Sequence, residues 1–219
     1  MPATDAATAR RVSPPDPWGA AAARYRWQEP LERRSLRAML AVLAPRSSET
    51  VLDLGSGVGH VPRLLARDAA APTLVVERSH RMLAAGDFAG AVPLRADVTR
   101  LPLDDGSVDV VTAAWVLHVL PPADREQAVA EVARVLRPGG RLGAVVPAVP
   151  RTGAQVLARR LARAGARAGG LAAFAVPHDL PALLTDHGLQ VRHHRRTGRG
   201  YLADVVVCTR AASAPGRPG

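Results

Sequence analysis

Residues able to do chemistry crowd between Val51 and His118 of this 219-residue chain. The first group is Val51-Leu-Asp53-Leu-Gly55-Ser56-Gly57-Val-Gly59, an apolar run with one acid that breaks into alternating glycines. Glycines in such a turn permit positive φ and let backbone approach a ligand closely. Dinucleotide-binding domains carry a glycine turn too, but here the spacing is Gly-x-Gly-x-Gly, not Gly-x-Gly-x-x-Gly. Asp53 stands two residues before the first glycine. A carboxylate there is poorly placed for a pyrophosphate and suits a ligand bearing an ammonium group and a sulfonium. A tight strand-to-helix turn with a capping acid also satisfies the pattern.

Two further acids follow apolar runs. Glu77 closes Thr73-Leu-Val-Val-Glu77 and can accept hydrogen bonds from both hydroxyls of a ribose, whether of an adenosyl sulfonium or of a nicotinamide dinucleotide. Asp97 can accept from an adenine amine while the Val98 amide donates to the ring, or it can simply make a turn. Ala113, Ala114 and Trp115 end the β-branched run from Val108, at the strand end where open α/β sheets place ligands. His118 follows closely, and imidazole suits proton abstraction near neutrality; it serves equally as a pocket wall. His178 and Tyr201 are secondary candidates. His193 and His194 are adjacent on a strand, so they point to opposite faces and do not chelate together. No metal site is expected.

These positions need strands to present them. Residues 50–54, 73–77, 92–96, 108–116 and 141–146 read as strands, with helices at about 58–66, 79–85 and 123–136 between them. Ser79 is the expected cap of the second helix, and Pro138-Gly139-Gly140 is expected to end the third. Such alternation implies a parallel sheet covered on both faces. After a helix at 180–187 closed by Gly188, residues 189–195 and 202–209 are joined by a short loop and must run antiparallel. The expected fold is therefore α/β, Rossmann-like, and ends in a hairpin.

Composition narrows the chemistry. All 29 basic residues are arginine, which removes the lysine of pyridoxal enzymes and of phosphate-binding loops. The net charge of +10 speaks to solubility and encounter; it reads as an arginine-rich surface, and no nucleic-acid partner is expected. The single cysteine, Cys208, sits in an apolar run, reads as a core residue, and suits a reducing, cytoplasmic setting. No stretch approaches a membrane span and no secretory signal is evident. Residues 1–17 and 211–219 are expected to be disordered arms. Gln155 to Ala166 reads as a basic amphipathic helix, in a segment 151–177 suited to covering a substrate pocket or touching a membrane surface.

The glycine turn, Glu77-x-Ser79-x-x-Met82-Leu83, the stretch from Asp97 to Asp109 and Arg134-Val-Leu-Arg-Pro-Gly-Gly140 occur in family-like order and spacing over about residues 48–147. Together they resemble the class I S-adenosylmethionine-dependent methyltransferases, nearest the broad subgroup containing the ubiquinone and menaquinone C-methyltransferases. The resemblance implies a seven-stranded sheet of order 3-2-1-4-5-7-6, cap helices in 18–46 and a cofactor-binding domain over 47–210. It implies S-adenosyl-L-methionine as cofactor, with Asp53, Gly55, Ser56 and Gly57 at its methionine part and Glu77 at its ribose. Met82, Asp97 and Val98 would meet the adenine, Ala113 and Trp115 would stand near by, and Tyr25 would fold over the ligand. Arg78 departs from the apolar residue common after the ribose acid, though its stem can cover the adenine. The expected reaction is methyl transfer to a small molecule such as a phenol, quinone precursor or specialised metabolite. An RNA methyltransferase, a non-catalytic adenosyl-binding subunit and a nicotinamide oxidoreductase are the alternatives. No Asn/Asp-Pro-Pro-Tyr-type motif follows strand four, which counts against methylation of a nucleic-acid base.

Overall fold

The computed structural model describes residues 16–25, 28–68, 71–148, 179–197 and 202–212, with 152–153, 156–157 and 160. Two helices open the described chain, α1 (Pro17–Tyr25) and α2 (Glu29–Leu43). There follow β1 (Val51–Leu54), α3 (His60–Asp68), β2 (Thr73–Val76), α4 (His80–Ala85), β3 (Val92–Leu94) and β4 (Val108–Ala114). The chain ends with α5 (Pro122–Val135), β5 (Leu136–Pro147), α6 (Leu180–Asp186), β6 (Leu189–Thr197) and β7 (Ala203–Arg210). The seven strands form one sheet in the order β3-β2-β1-β4-β5-β7-β6. The first five pair in parallel, whereas β7 runs antiparallel to both β5 and β6.

Strand parity assigns each side chain to a face. Successive residues of a strand point to opposite sides of the sheet. Thus Val51 and Val110 pack with α2 and α3, beside Leu36, Met39, Val61 and Leu65. Their neighbours Leu52 and Val111 pack on the other face with Ala128, Val129 and Val132 of α5 and Leu184 of α6. Asp53 and Thr112, opposite each other in the β1–β4 register, share the parity of Val51 and Val110. Cys208 is fully buried on the α5 side, and burial pushes its thiol up to about 12.

Several local expectations meet their physical reasons here. Ser79 caps α4 by accepting from the Met82 amide at 3.1 Å, and Gly188 takes φ +75° just past α6. Pro93 is tolerated because β3 is an edge strand. The segment Pro138-Gly139-Gly140 behaves differently from its expected role as a helix stop. α5 passes directly into β5 at Leu136, and the prolyl-glycyl stretch lies within the strand. The pairing of β4 with β5 shifts register there, between Val108 and Val110, with Gly139 at φ +79°. The glycines accommodate a bulge rather than a turn. The first helix begins at Pro17, one residue inside the expected N-terminal arm; residues 1–15 and 213–219 lie outside the described residues, as does most of 151–177. Among the described residues, no helix is long and apolar enough to cross a membrane.

Two arginines of α5 pin the loops on either side of β4. Arg125 of α5, 9% exposed, donates to the carbonyls of Leu117 and Leu120 at 2.8 Å each and so holds the turn after β4. Arg134 donates to the carbonyls of Leu101 and Leu103 and to Glu131 and Asp105, while Glu131 accepts from the Leu101 amide. The arginine of the Arg-Val-Leu-Arg-Pro-Gly-Gly motif is thus a clamp on the loop after β3. Replacing Arg125 by Met should leave two carbonyls without their charged donor and lower stability by about 2–3 kcal/mol. Urea unfolding of the two proteins reads this directly, and an unchanged midpoint would show that the turn holds without the arginine.

Candidate functional site

A cavity opens at the carboxyl ends of β1, β2 and β4 and is walled by α1 and α2. Eleven of the twelve residues expected to bind the cofactor line it: Tyr25, Asp53, Gly55, Ser56, Gly57, Glu77, Arg78, Met82, Asp97, Val98 and Trp115. Ala113 does not. Strand parity turns it into the core against the α5 face, fully buried, and its neighbour Ala114 faces the cavity instead. His118 does not line the cavity either. It is 1% exposed, edge-on to Trp115 with ring centroids 5.9 Å apart. Burial, aided by the Arg125 charge, pushes its imidazole down to about 3. A side chain so buried and so weakly basic is poorly suited to accept a proton from a bound molecule. His178 and Tyr201 lie outside the described residues.

The turn after β1 depends on glycine at two points. Gly55 takes φ +61°, and a Cβ there would stand 2.6 Å from Val116 Cγ2. Gly57 takes φ +56° beside open space, so its bare Cα leaves room at the cavity wall. Below the turn, Asp53 is 1% exposed. Its carboxylate accepts from Thr112 Oγ1 at 2.6 Å and from Ser56 Oγ at 2.5 Å. Burial pushes the Asp53 carboxyl up to about 6, against the two hydroxyl donors and His60, which favour the charged form, with Glu77 adding to the rise.

Glu77 bridges the neighbouring turns. One oxygen accepts from the Gly57 amide at 3.0 Å and the other from the Ser79 amide at 2.8 Å. Burial still raises its carboxyl above the usual range, outweighing those amides, and Asp16 adds to the rise. Each oxygen retains acceptor capacity toward the cavity. Asp97 makes a local turn by accepting from the Thr99 amide and hydroxyl through one oxygen. Its other oxygen lies 3.7 Å from the Arg78 guanidinium. Asp16 accepts from Ser79 Oγ and from the Gly19 amide, tying α1 to α4. Trp18 and Tyr25, edge-on at 6.1 Å, thereby sit over Met82 and Val58.

Two features were not legible in the motifs. Trp115 adopts φ +59°, a left-handed conformation that a bulky residue rarely takes and that clusters at functional sites. Glu32 of α2 and His60 of α3 form a buried pair, Nδ1 to Oε2 3.2 Å, and both line the cavity. They are 28 residues apart; only the presence of a glutamate on the apolar stripe of α2, near Leu36 and Met39, could have signalled the pair. Among the described residues no group of acids, histidines and cysteines could hold a metal.

Residues 52–144 match the methyltransferase domain family. An uncharacterized methyltransferase of Mycobacterium bovis is 43% identical over 106 residues, 47% of this chain and 42% of that protein. A demethylmenaquinone methyltransferase of Beutenbergia cavernae is 38% identical over 117 residues, 51% of this chain and 46% of that one. The chain spans about half the length of these relatives. Among solved structures, a chain from the complex of the Haloferax volcanii Trm112 methyltransferase activator with a methyltransferase superposes with a TM-score of 0.75 at 20% identity, covering 91% of this chain and all of that one. A Methanosarcina mazei S-adenosylmethionine-dependent methyltransferase gives 0.64 at 18% identity, covering 77% of this chain and 95% of that one. The fold is the Rossmann-like one of these solved methyltransferases, and residues 52–144 are similar to the methyltransferase domain family.

The raised carboxyl of Asp53 carries a testable cost. A carboxyl whose folded-state value lies above its ordinary 3.8 binds protons more tightly when folded, so stability falls as pH climbs from about 4 through about 6. The corresponding loss is about 3 kcal/mol at neutral pH. Asp53→Asn should therefore match the parent near pH 4 and exceed its stability increasingly toward pH 7. Denaturant unfolding across that range checks this, and a pH-independent difference would refute the assigned cause.

Proposed function

We propose that this chain transfers a methyl group from S-adenosyl-L-methionine to a small-molecule acceptor, a phenol, quinone precursor or specialised metabolite. The observation that carries the reading is the donor set of the cavity: Asp53, Glu77 and Asp97, three carboxylates on three successive turns, beside a glycine turn open at Gly57. Such a wall repels phosphates and suits a nucleoside that carries positive charge.

In this reading Asp53, Gly55, Ser56 and Gly57 hold the methionine portion, with the buried carboxylate facing its ammonium group. Glu77, fixed by two backbone amides, receives the ribose hydroxyls. Met82, Val98, Asp97 and the Arg78 stem surround the adenine, while Tyr25 and Trp115 close the cavity from α1 and the end of β4. The bound cofactor supplies a methyl group already activated on a sulfonium, with a neutral thioether as leaving group. The protein's task is then to hold the acceptor in line with that methyl carbon and to keep water away. Leu36, Val61, Val116, Val119 and Leu120 provide an apolar wall for this. The segment 151–177 follows β5, and we assign it to covering the acceptor.

Two measurements test the reading. Calorimetry should show binding of S-adenosylhomocysteine to the parent chain, and Glu77→Ala should weaken it by about 1–3 kcal/mol through loss of charge-assisted hydrogen bonds. Unchanged affinity would remove Glu77 from the ribose. Incubation of the chain with methyl-labelled cofactor and a fractionated cell extract should place the label in a small metabolite identified by mass. Label confined to the RNA or protein fraction would overturn the acceptor class.

A further inference from the structure

A buried carboxylate on an apolar helix face costs stability unless a partner compensates it, and apolar residues of like volume often serve the fold better. Glu32 is such a residue, 4% exposed and next to Leu36 on the stripe that packs α2 on the sheet. Its partner is His60, 7% exposed, at the first position of α3. The other ring nitrogen of His60, Nε2, is buried and has no hydrogen-bond partner among the described residues. Buried polar atoms are rarely left so without a reason. The wall around the pair includes Leu36, Val61 and Trp115, which share one core cluster, whereas Met82 and Val98 belong to others. The pair therefore lies on the α2–α3 side of the cavity, where Leu36 and Val61 supply apolar wall and Asp53 is within electrostatic reach of His60.

Resting on the methyl-transfer reading, we propose that His60 is the base that takes the proton of the methyl acceptor, and that Glu32 positions it. A glutamate accepting from Nδ1–H fixes the tautomer and leaves Nε2 as the acceptor nitrogen of a residue that lines the cavity; it also stabilises the imidazolium once formed. The acceptor this fits has an ionisable hydroxyl, a phenol or enol, on an otherwise apolar body. In the step, the acceptor's O–H proton passes to Nε2, and the acceptor's electron pair, on oxygen or on the conjugated carbon, forms the new bond to the methyl carbon. The C–S bonding pair stays on sulfur, and the proton afterwards leaves His60 for solvent. The charged groups facing His60 are Glu32 and Glu29 from α2, the latter held by Arg63 of α3, and Asp53 from β1.

The test uses the full chain saturated with S-adenosylhomocysteine, and 4-nitrophenol as the acceptor probe at a pH below the probe's own ionisation. Failure to bind S-adenosylhomocysteine overturns the methyl-transfer reading and this inference together; the remaining outcomes bear on the inference alone. Long-range proton–nitrogen correlations, assigned through His60→Gln, should show His60 protonated at Nδ1 and bare at Nε2. Glu32→Gln should move that tautomer balance, a signature that loss of packing alone does not produce. The bound dye should appear as phenolate in the parent and lose that absorbance about tenfold in His60→Gln. A proton resident on Nε2, no dye bound, or an equal phenolate signal in His60→Gln overturns the proposal. Should His60→Gln fail to fold, Glu32→Gln carries the same absorbance test.

Discussion

The arrangement of the cavity rests on a carboxylate that the fold holds at a cost. Asp53 lies at the seam of β1 and β4, where the register sets Thr112 directly opposite it. Strand parity turns both side chains toward α2 and α3 rather than into the α5 face. Thr112 therefore donates to one carboxylate oxygen, and Ser56, one turn later, donates to the other. Two hydroxyls are fewer donors than water supplies, which is why burial still lifts the carboxyl to about 6. A site built this way gains when a cation enters, because the ligand's charge offsets a desolvation already incurred during folding. The same logic extends to Glu77, whose two amide donors fix its direction without abolishing its raised proton affinity.

Much of this was readable from residue order, because local signals governed it. Alternation of apolar runs with helical patterns announces a parallel sheet, and a loop of a few residues between the last two runs forces the closing hairpin. Acids at the ends of apolar runs must emerge at one edge of that sheet, so Asp53, Glu77 and Asp97 meet in one cavity. What residue order concealed depended on parity and on distance. Ala113 and Ala114 differ by one position and therefore by one whole face; motif reading does not set that phase. Pro138-Gly139-Gly140 carries the composition of a turn, yet it sits in a strand because the bulge opposite Val108 and Val110 needs those glycines.

His118 shows the same limit from the other side. Its place after β4 makes it a natural base on paper, but the turn beyond Trp115 curls inward and Arg125 fastens it there through the carbonyls of Leu117 and Leu120. The histidine is then a packing partner of Trp115, stripped of water and faced by a guanidinium, and it stays neutral. His60, by contrast, follows the last glycine of the turn and falls inside the expected helix 58–66, where no motif marks it. Only the docking of α2, which no local pattern specifies, brings Glu32 against it.

The N-terminal helices thus do more than cover apolar surface. α1 is tied at Asp16 to Ser79, the cap of α4, whose backbone amide also holds Glu77. α2 is tied at Glu29 to Arg63 and at Glu32 to His60, both on α3. Each tie ends on an element that shapes the cavity, so docking of the two helices and completion of the site are one event. Ligand binding and N-terminal order must then be linked thermodynamically, since whatever favours one favours the other. With α1 and α2 in place, Asp53 and Glu77 face a pocket with Trp18, Tyr25 and Leu36 in its wall, while Asp97 keeps part of its surface in solvent. For the two more enclosed acids, electrostatics can act over a few ångströms with little screening.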